Sequence, residues 1–218
     1  STAALEQTQR HPTPGCFPVH PRDAMDLNSD TPTTLYNGAL GVWMALERLQ
    51  QSGLLPLALP PTAPVYQALQ QHYRQQPDTG VRVPSWFLGE SALLTRLCLH
   101  PQADAAQREQ WQDLLFAQVE ENLEHPSQEI LWGAPGTFLA ALFLWEATAE
   151  KRWRELCQAH ITTLWEQWTW FDDYGAWLWE QDLYGKKRIL LGAGHGWASN
   201  LYGLWRAEPL LDDRQYNQ

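Results

Sequence analysis

The chain has 218 residues, enough for one large domain or two small ones. With 44% hydrophobic and 18% charged residues, its composition is globular and excludes a disordered chain. Its 15 Lys and Arg against 25 Asp and Glu leave a formal net charge of -10, with no basic tract. That excludes nucleic acid and an anionic membrane surface as partners, since both need clustered cations.

No run of about 18 apolar residues offers a membrane span. The start, Ser1-Thr-Ala-Ala-Leu-Glu6, lacks a basic-then-apolar signal pattern and lacks Met, so it reads as processed or cut. Cys16, Cys98 and Cys157 are sparse and form no Cys-x-x-Cys pair, which points to a reducing, cytoplasmic compartment. Tryptophan is the outlier, with 13 residues. Such rings fill a core or line a ring-stacking cleft.

Residues 1–32 are rich in Pro, His, Thr and Asp and read as an extended lead-in. Residues 34–50 are apolar almost all round, which predicts a helix buried on several sides. Pro56, Pro60, Pro61 and Pro64 mark a connector. Val65, Tyr66, Leu69 and Tyr73 then follow at helical steps, an amphipathic helix over 65–75. The alternation repeats: 86–99 apolar, 105–123 amphipathic, 130–147 apolar, 151–169 amphipathic. On the last of these, Trp153, Leu156, Cys157, His160, Ile161, Leu164, Trp165 and Trp168 share one face, so Cys157 and His160 read as core. Residues 174–184 alternate loosely, Gly185-Lys186-Lys187 reads as a turn and Arg188–Leu191 as a second strand. A short β-hairpin near 177–191 is predicted. A fourth buried helix runs from about Gly196 to Ala207, and 208–218 is a polar tail.

Each buried helix opens on a step of small residues: Gly38-Ala-Leu-Gly41, Gly89-Glu-Ser-Ala92, Gly133-Ala-Pro-Gly136 and Gly196-Trp-Ala-Ser199. Their first positions lie 51, 44 and 63 residues apart, one helical pair per repeat, with the hairpin lengthening the last interval. Small residues at i and i+3 let helix ends approach one another or a ligand closely, with free N–H groups facing the enclosed space. An open solenoid and a closed α/α toroid both place buried helices against amphipathic ones, and the recurring glycines favour the toroid. The predicted class is all-α, about four helical pairs over 33–207. No βαβ alternation is present, so Gly192-Ala-Gly-His-Gly196 is not read as a dinucleotide site.

Four segments carry a resemblance: Leu35-Tyr-Asn-Gly-Ala-Leu-Gly41, Phe87-Leu-Gly-Glu-Ser-Ala92, Glu129-Ile-Leu-Trp-Gly-Ala-Pro-Gly136 and Leu191-Gly-Ala-Gly-His-Gly-Trp-Ala-Ser-Asn200. Together they resemble the lanthionine synthetase C-like (LanC-like) family. The last is the most specific, since the family carries Gly-x-x-His-Gly-x-x-Gly there. The resemblance implies a cytoplasmic α/α toroid that adds a thiol to a dehydrated Ser or Thr, with a peptide cysteine or glutathione as the thiol. Family members have seven helical pairs, roughly 350 residues at such repeat lengths. The resemblance therefore implies that this chain is the N-terminal portion of such an enzyme, with an open toroid edge for self-association. Zinc is expected in the intact family member. The family's Cys-x-Gly and Cys-His-Gly ligand segments do not occur in this chain, and Cys98-Leu99-His100 lies in the wrong repeat. Ala92 and Ser199 stand where the family has glycine.

By position His195 matches the family's active-site histidine, and Glu129 an acidic position facing the cavity. They are the candidate catalytic pair. Trp132, Trp197 and Asn200 flank the same motifs and are the candidate substrate contacts; Trp86 also neighbours one of the glycine motifs. Glu180 and Asp182 are close enough in sequence to orient His195, although a solvated hairpin face accounts for them as well. Asp172-Asp173 reads as loop acidity. Two other classes stay open. One is a zinc-free scaffold that binds a peptide or glutathione, motivated by the missing ligands. The other is a carbohydrate-active α/α barrel, motivated by the tryptophans and paired carboxylates.

Overall fold

The computed structural model describes residues 15–20, 22, 29–56 and 58–217. Most of the expected lead-in, residues 1–14, 21 and 23–28, lies outside the described residues. The fold is mostly helical, with two small antiparallel hairpins. No helix among the described residues is long and apolar enough to cross a membrane. The chain divides into two compact units, Ser1–Val83 with Phe87–Gln112, and Pro84–Trp86 with Asp113–Gln218.

The first unit contains α1 (Ala39–Gln51), α2 (Thr62–Gln75), α3 (Ser91–Cys98) and the start of α4 (Ala105–Glu121). Its core is Leu40, Trp43, Tyr66, Leu69, Tyr73, Leu93, Leu94 and Leu97, all buried. α2 presents Val65, Tyr66, Leu69 and Tyr73, the stripe its spacing predicts. α1 is buried less than its composition suggests: Ala39, Leu40 and Trp43 are inside, while Val42 and Leu49 are exposed. Two buried carboxylates are each matched by several donors. Asp78 accepts the backbone N–H groups of Thr33 at 3.0 Å and Thr34 at 2.8 Å. Glu90 accepts Arg74 Nε and Gln70 Nε2, each at 2.6 Å.

The second unit is centred on α5 (Ala134–Thr148), whose buried residues run almost all round, as expected. α6 (Lys151–Glu166) and α7 (Trp197–Arg206) pack against it. Ala149, in the left-handed region at φ 55, closes α5 by returning its N–H to Trp145 O at 2.8 Å and lets α6 start at Lys151. Of the α6 face predicted from spacing, Trp153, Leu156, Cys157, His160, Ile161 and Leu164 are buried, while Trp165 is half-buried and Trp168 lies beyond the helix end, where the chain turns toward the next strand.

Two hairpins follow α6. The expected one is present with a different register: β3 (Gln181–Leu183) pairs with β4 (Lys186–Arg188), so Lys186 and Lys187 are strand and not turn. Its turn is Tyr184-Gly185, at φ 55 and 75, the two positive φ values of a tight two-residue hairpin. The additional hairpin joins β1 (Thr169–Phe171) to β2 (Ala176–Leu178), with Trp170 opposite Trp177. Each strand is three residues long, too short to impose a readable alternation. The 208–218 tail is also more ordered than its composition predicts, with a 3-10 turn (Glu208–Leu210) and α8 (Asp213–Asn217).

Candidate functional site

The site starts from the glycine loops, because they place the candidate residues. Gly38, Gly133 and Gly196 are each the extended residue immediately before a helix, so the helix begins one residue after the glycine. Each sits where the loop crosses itself: a Cβ on Gly38 would meet Pro32 and Thr33 backbone, on Gly133 Ser127 O, on Gly196 Leu190 O. In the second position of the step, Gly41 meets Leu35 O and Gly136 meets Ile130 O. In every case the partner lies five or six residues upstream. The repeated Gly-x-x-Gly is therefore the signature of a loop folding back on its own backbone.

This corrects the expectation that free helix N–H groups face an enclosed space. Ala39 and Leu40 donate to Pro32 O and Thr33 O, at 2.9 and 3.1 Å. Trp197 donates to Leu190 O at 2.9 Å and Ala198 to Leu191 O at 3.3 Å. The loop's own carbonyls satisfy these orphan donors.

In the second unit two such loops bring Glu129 and His195 together across 66 residues of sequence. His195 Nδ1 and Glu129 Oε2 are 3.0 Å apart. Glu129 is fully buried, while the His195 side chain is 39% exposed. The carboxylate is held by its own loop: Oε2 accepts Leu131 N–H at 2.9 Å and Oε1 accepts Trp132 N–H at 2.7 Å. A carboxylate that is acceptor-only and already fixed assigns the proton on Nδ1, so Nδ1–H donates to Oε2. Nε2 is left as the imidazole's basic nitrogen, at the half-exposed end of the pair.

Neighbouring side chains brace the two loops. Asn200, buried in α7, donates Nδ2 to Gln128 O at 3.1 Å, next to Glu129. Gln181, buried on β3, accepts Leu190 N–H at 3.3 Å. Ser127 Oγ donates to Asp182 O. Asn200 thus joins the two motifs from inside. Ser127 and Gln181 were not singled out from sequence, because nothing in their spacing distinguishes them from ordinary loop and strand residues.

The other candidates separate. Trp132 is half-buried; its backbone meets Glu129 and its indole N–H donates to Tyr184 Oη at 3.2 Å. Trp197, the first residue of α7, donates its indole N–H to Trp177 O at 3.2 Å and faces an apolar groove of about 520 Å3 with Trp165, Trp168 and Trp205. Trp86 packs on Phe143 at a centroid distance of 5.7 Å. Glu180 pairs with Lys187 at 2.6 Å on the hairpin surface, and Asp182 is bonded through its backbone oxygen, so the carboxylate orienting His195 is Glu129. Asp172 accepts Trp170 Nε1 at 2.8 Å within its own turn.

Cys16, Cys98 and Cys157 are buried and separate, and among the described residues no three His, Cys, Asp or Glu side chains gather around one point. Those residues do not fit a zinc centre by themselves, since zinc takes at least three such ligands. No family model, curated protein or solved structure matches the chain.

Proposed function

We propose that the chain is part of a LanC-like α/α toroid and that His195, oriented by Glu129, transfers the proton in addition of a thiol to a dehydrated Ser or Thr. The observation that carries this is the pair itself: a half-exposed imidazole whose Nδ1 lies 3.0 Å from a fully buried carboxylate. The four glycine motifs in sequence order, with this pair on the third and fourth, support the family reading.

The chemistry needs one proton moved twice. His195 Nε2 takes the proton of the thiol S–H, and the thiolate attacks Cβ of the dehydroamino acid. A C–S bond forms, the C=C bond breaks, and its electron pair moves to the α-carbon as an enolate. The imidazolium then returns the same proton to Cα. No oxidant is consumed, and the product mass is the sum of the reactants. Glu129 favours the intermediate imidazolium, because a carboxylate accepts more strongly from a cationic donor. The acceptance of two backbone N–H groups keeps that carboxylate in place while the imidazole changes charge.

The test is mass spectrometry of a dehydroalanine peptide incubated with a thiol and the protein. The expected product is the thioether adduct, and His195→Ala is expected to slow its formation by about 10²–10⁴-fold, the usual share of a general acid–base group. An unchanged rate for His195→Ala would overturn the reading. Glutathione and a cysteine peptide are both tried as thiol.

A further inference from the structure

The second unit contains a groove, lined by Gln128 and Trp132 on either side of Glu129 in sequence, that the proton transfer does not use. Two cavities, about 540 and 490 Å3, share His125, Pro126 and Asp182. At one end stand Trp132 and Tyr184, edge to face with centroids 6.3 Å apart and planes at 83°. At the other lie Glu124, Gln128, Glu180 and Lys187. The lining is acidic, because Glu124, Glu180 and Asp182 outnumber Lys187, which pairs with Glu180 at 2.6 Å and stands opposite Asp182 in the strand register.

The uncharged groups share the same preference. Gln128 is only 6% exposed and donates Nε2 to His125 O at 2.6 Å, yet its buried Oε1 has no partner. A buried, unpaired acceptor costs free energy until a donor reaches it. Tyr184 is 81% exposed on a tight turn, so its ring face is available beside that of Trp132. Carboxylates, an unpaired amide oxygen and two aromatic faces all call for a ligand that is positively charged and rich in N–H donors.

We infer that this groove binds a basic side chain of a peptide, its ammonium or guanidinium group held by Asp182 and Gln128 Oε1 with its stem against Trp132 and Tyr184. The inference rests on the proposed thiol addition only in taking the peptide to be the substrate. It then selects among substrates. A cationic peptide fits the groove. Glutathione, with two carboxylates and one amine, is anionic and does not.

Isothermal titration calorimetry of the full chain with two capped tripeptides, trilysine and triglutamate, separates the cases. The trilysine peptide is expected to bind at least about tenfold more tightly, and more weakly as salt rises. Asp182→Asn is expected to weaken it by about tenfold, while Asp173→Asn, an exposed carboxylate on the other hairpin, leaves it unchanged. Tyr184→Asn, which suits the positive φ of that turn and so does not threaten folding, is expected to weaken it by about threefold. Equal binding of the two peptides, or an Asp182→Asn variant with unaltered affinity, would overturn the inference. Neither peptide carries a dehydroamino acid, so binding is read without the reaction. His195→Ala is expected to leave trilysine binding intact. A groove that binds trilysine in a protein with no thiol addition would therefore sink the chemistry alone, and the converse result would sink the groove alone.

Discussion

Glu129 uses both carboxylate oxygens on backbone N–H groups of its own loop and still reaches His195. It is fully buried, so in the proposed reaction it would reach the chemistry only through the imidazole, as a positioning residue, with His195 as the catalytic one. The Glu129→Gln substitution tests this division. The amide supplies one acceptor and one donor where the site needs two acceptors, leaving a buried N–H facing an N–H. Such a mismatch costs about 1–3 kcal/mol of stability. A purely structural role ends there. A positioning role predicts in addition that kcat of the folded variant falls by about 10²-fold with KM unchanged, because the imidazole loses its orientation and the partner of its charged form. Glu129→Asp, which keeps both acceptors, is expected to recover part of kcat. Steady-state kinetics on variants with matched far-UV circular dichroism decide it: a raised KM at full kcat would instead place Glu129 among the substrate contacts.

At the scale of elements, the glycine block around His195 divides in two. A Cβ at Gly196 or Gly133 meets backbone carbonyl oxygen, whereas at Gly192 and Gly194 it meets nothing within 4 Å. Gly133→Ala is therefore expected to destabilise the protein by about 3 kcal/mol or more, because backbone must move. Gly194→Ala is expected to change stability by less than about 0.5 kcal/mol in urea denaturation. If Gly194→Ala slows thiol addition at unchanged stability, the open space beside His195 is where the substrate lies. The same contrast shows what could be read from sequence. Three of the four glycine steps, at Gly38, Gly133 and Gly196, marked the helix starts because a backbone crossing tolerates little else; at the second step the helix begins at Ser91, after Glu90. The predicted face of α2, and that of α6 as far as Leu164, are the buried ones because each helix is long enough to repeat its period several times. The β1–β2 hairpin escaped notice because Trp168 to Trp170 extend the apolar pattern of α6, and three-residue strands supply too few alternations to compete with it. The family resemblance put Glu129 and His195 at one cavity but did not link them, and closeness in sequence pointed to Glu180 or Asp182 as the orienting carboxylate; no local pattern links residues 66 apart.

At the scale of the whole molecule, the buried titratable groups bound the pH range in which the chain is stable. His160 is fully buried in the second unit, stacked on Phe138 at 5.3 Å with planes at 15°, and neither ring nitrogen has a partner. Burial alone pushes its pKa down to about 3. The folded state therefore binds its proton less readily than the unfolded chain, whose histidine titrates near 6.5. The stability associated with neutral His160 is complete above about pH 6.5 and is lost as pH falls toward 3. On the alkaline side the signs reverse. Burial pushes Cys16 up to about 11 and Cys157 up to about 12, with Asp78 and Glu146 adding to the respective shifts. Tyr73 is pushed up to about 12 and Tyr66 is also raised, again chiefly by burial. Their contribution is present below the unfolded thiol range, near 8.5, and declines as pH rises above it. Maximal stability is thus expected between about pH 6.5 and 8.5. His160→Leu isolates the acid limb. Its side chain keeps similar bulk against Phe138 and forfeits no hydrogen bond, so stability at pH 7 is expected to stay within about 1 kcal/mol of the parent. At pH 4.5 the parent should have lost about 2–3 kcal/mol through this one group, and the variant should have kept it. Urea denaturation of both proteins at the two pH values reads the difference directly. Parallel acid losses would mean that protons taken up by other groups, and not by His160, set the lower edge of the stability range.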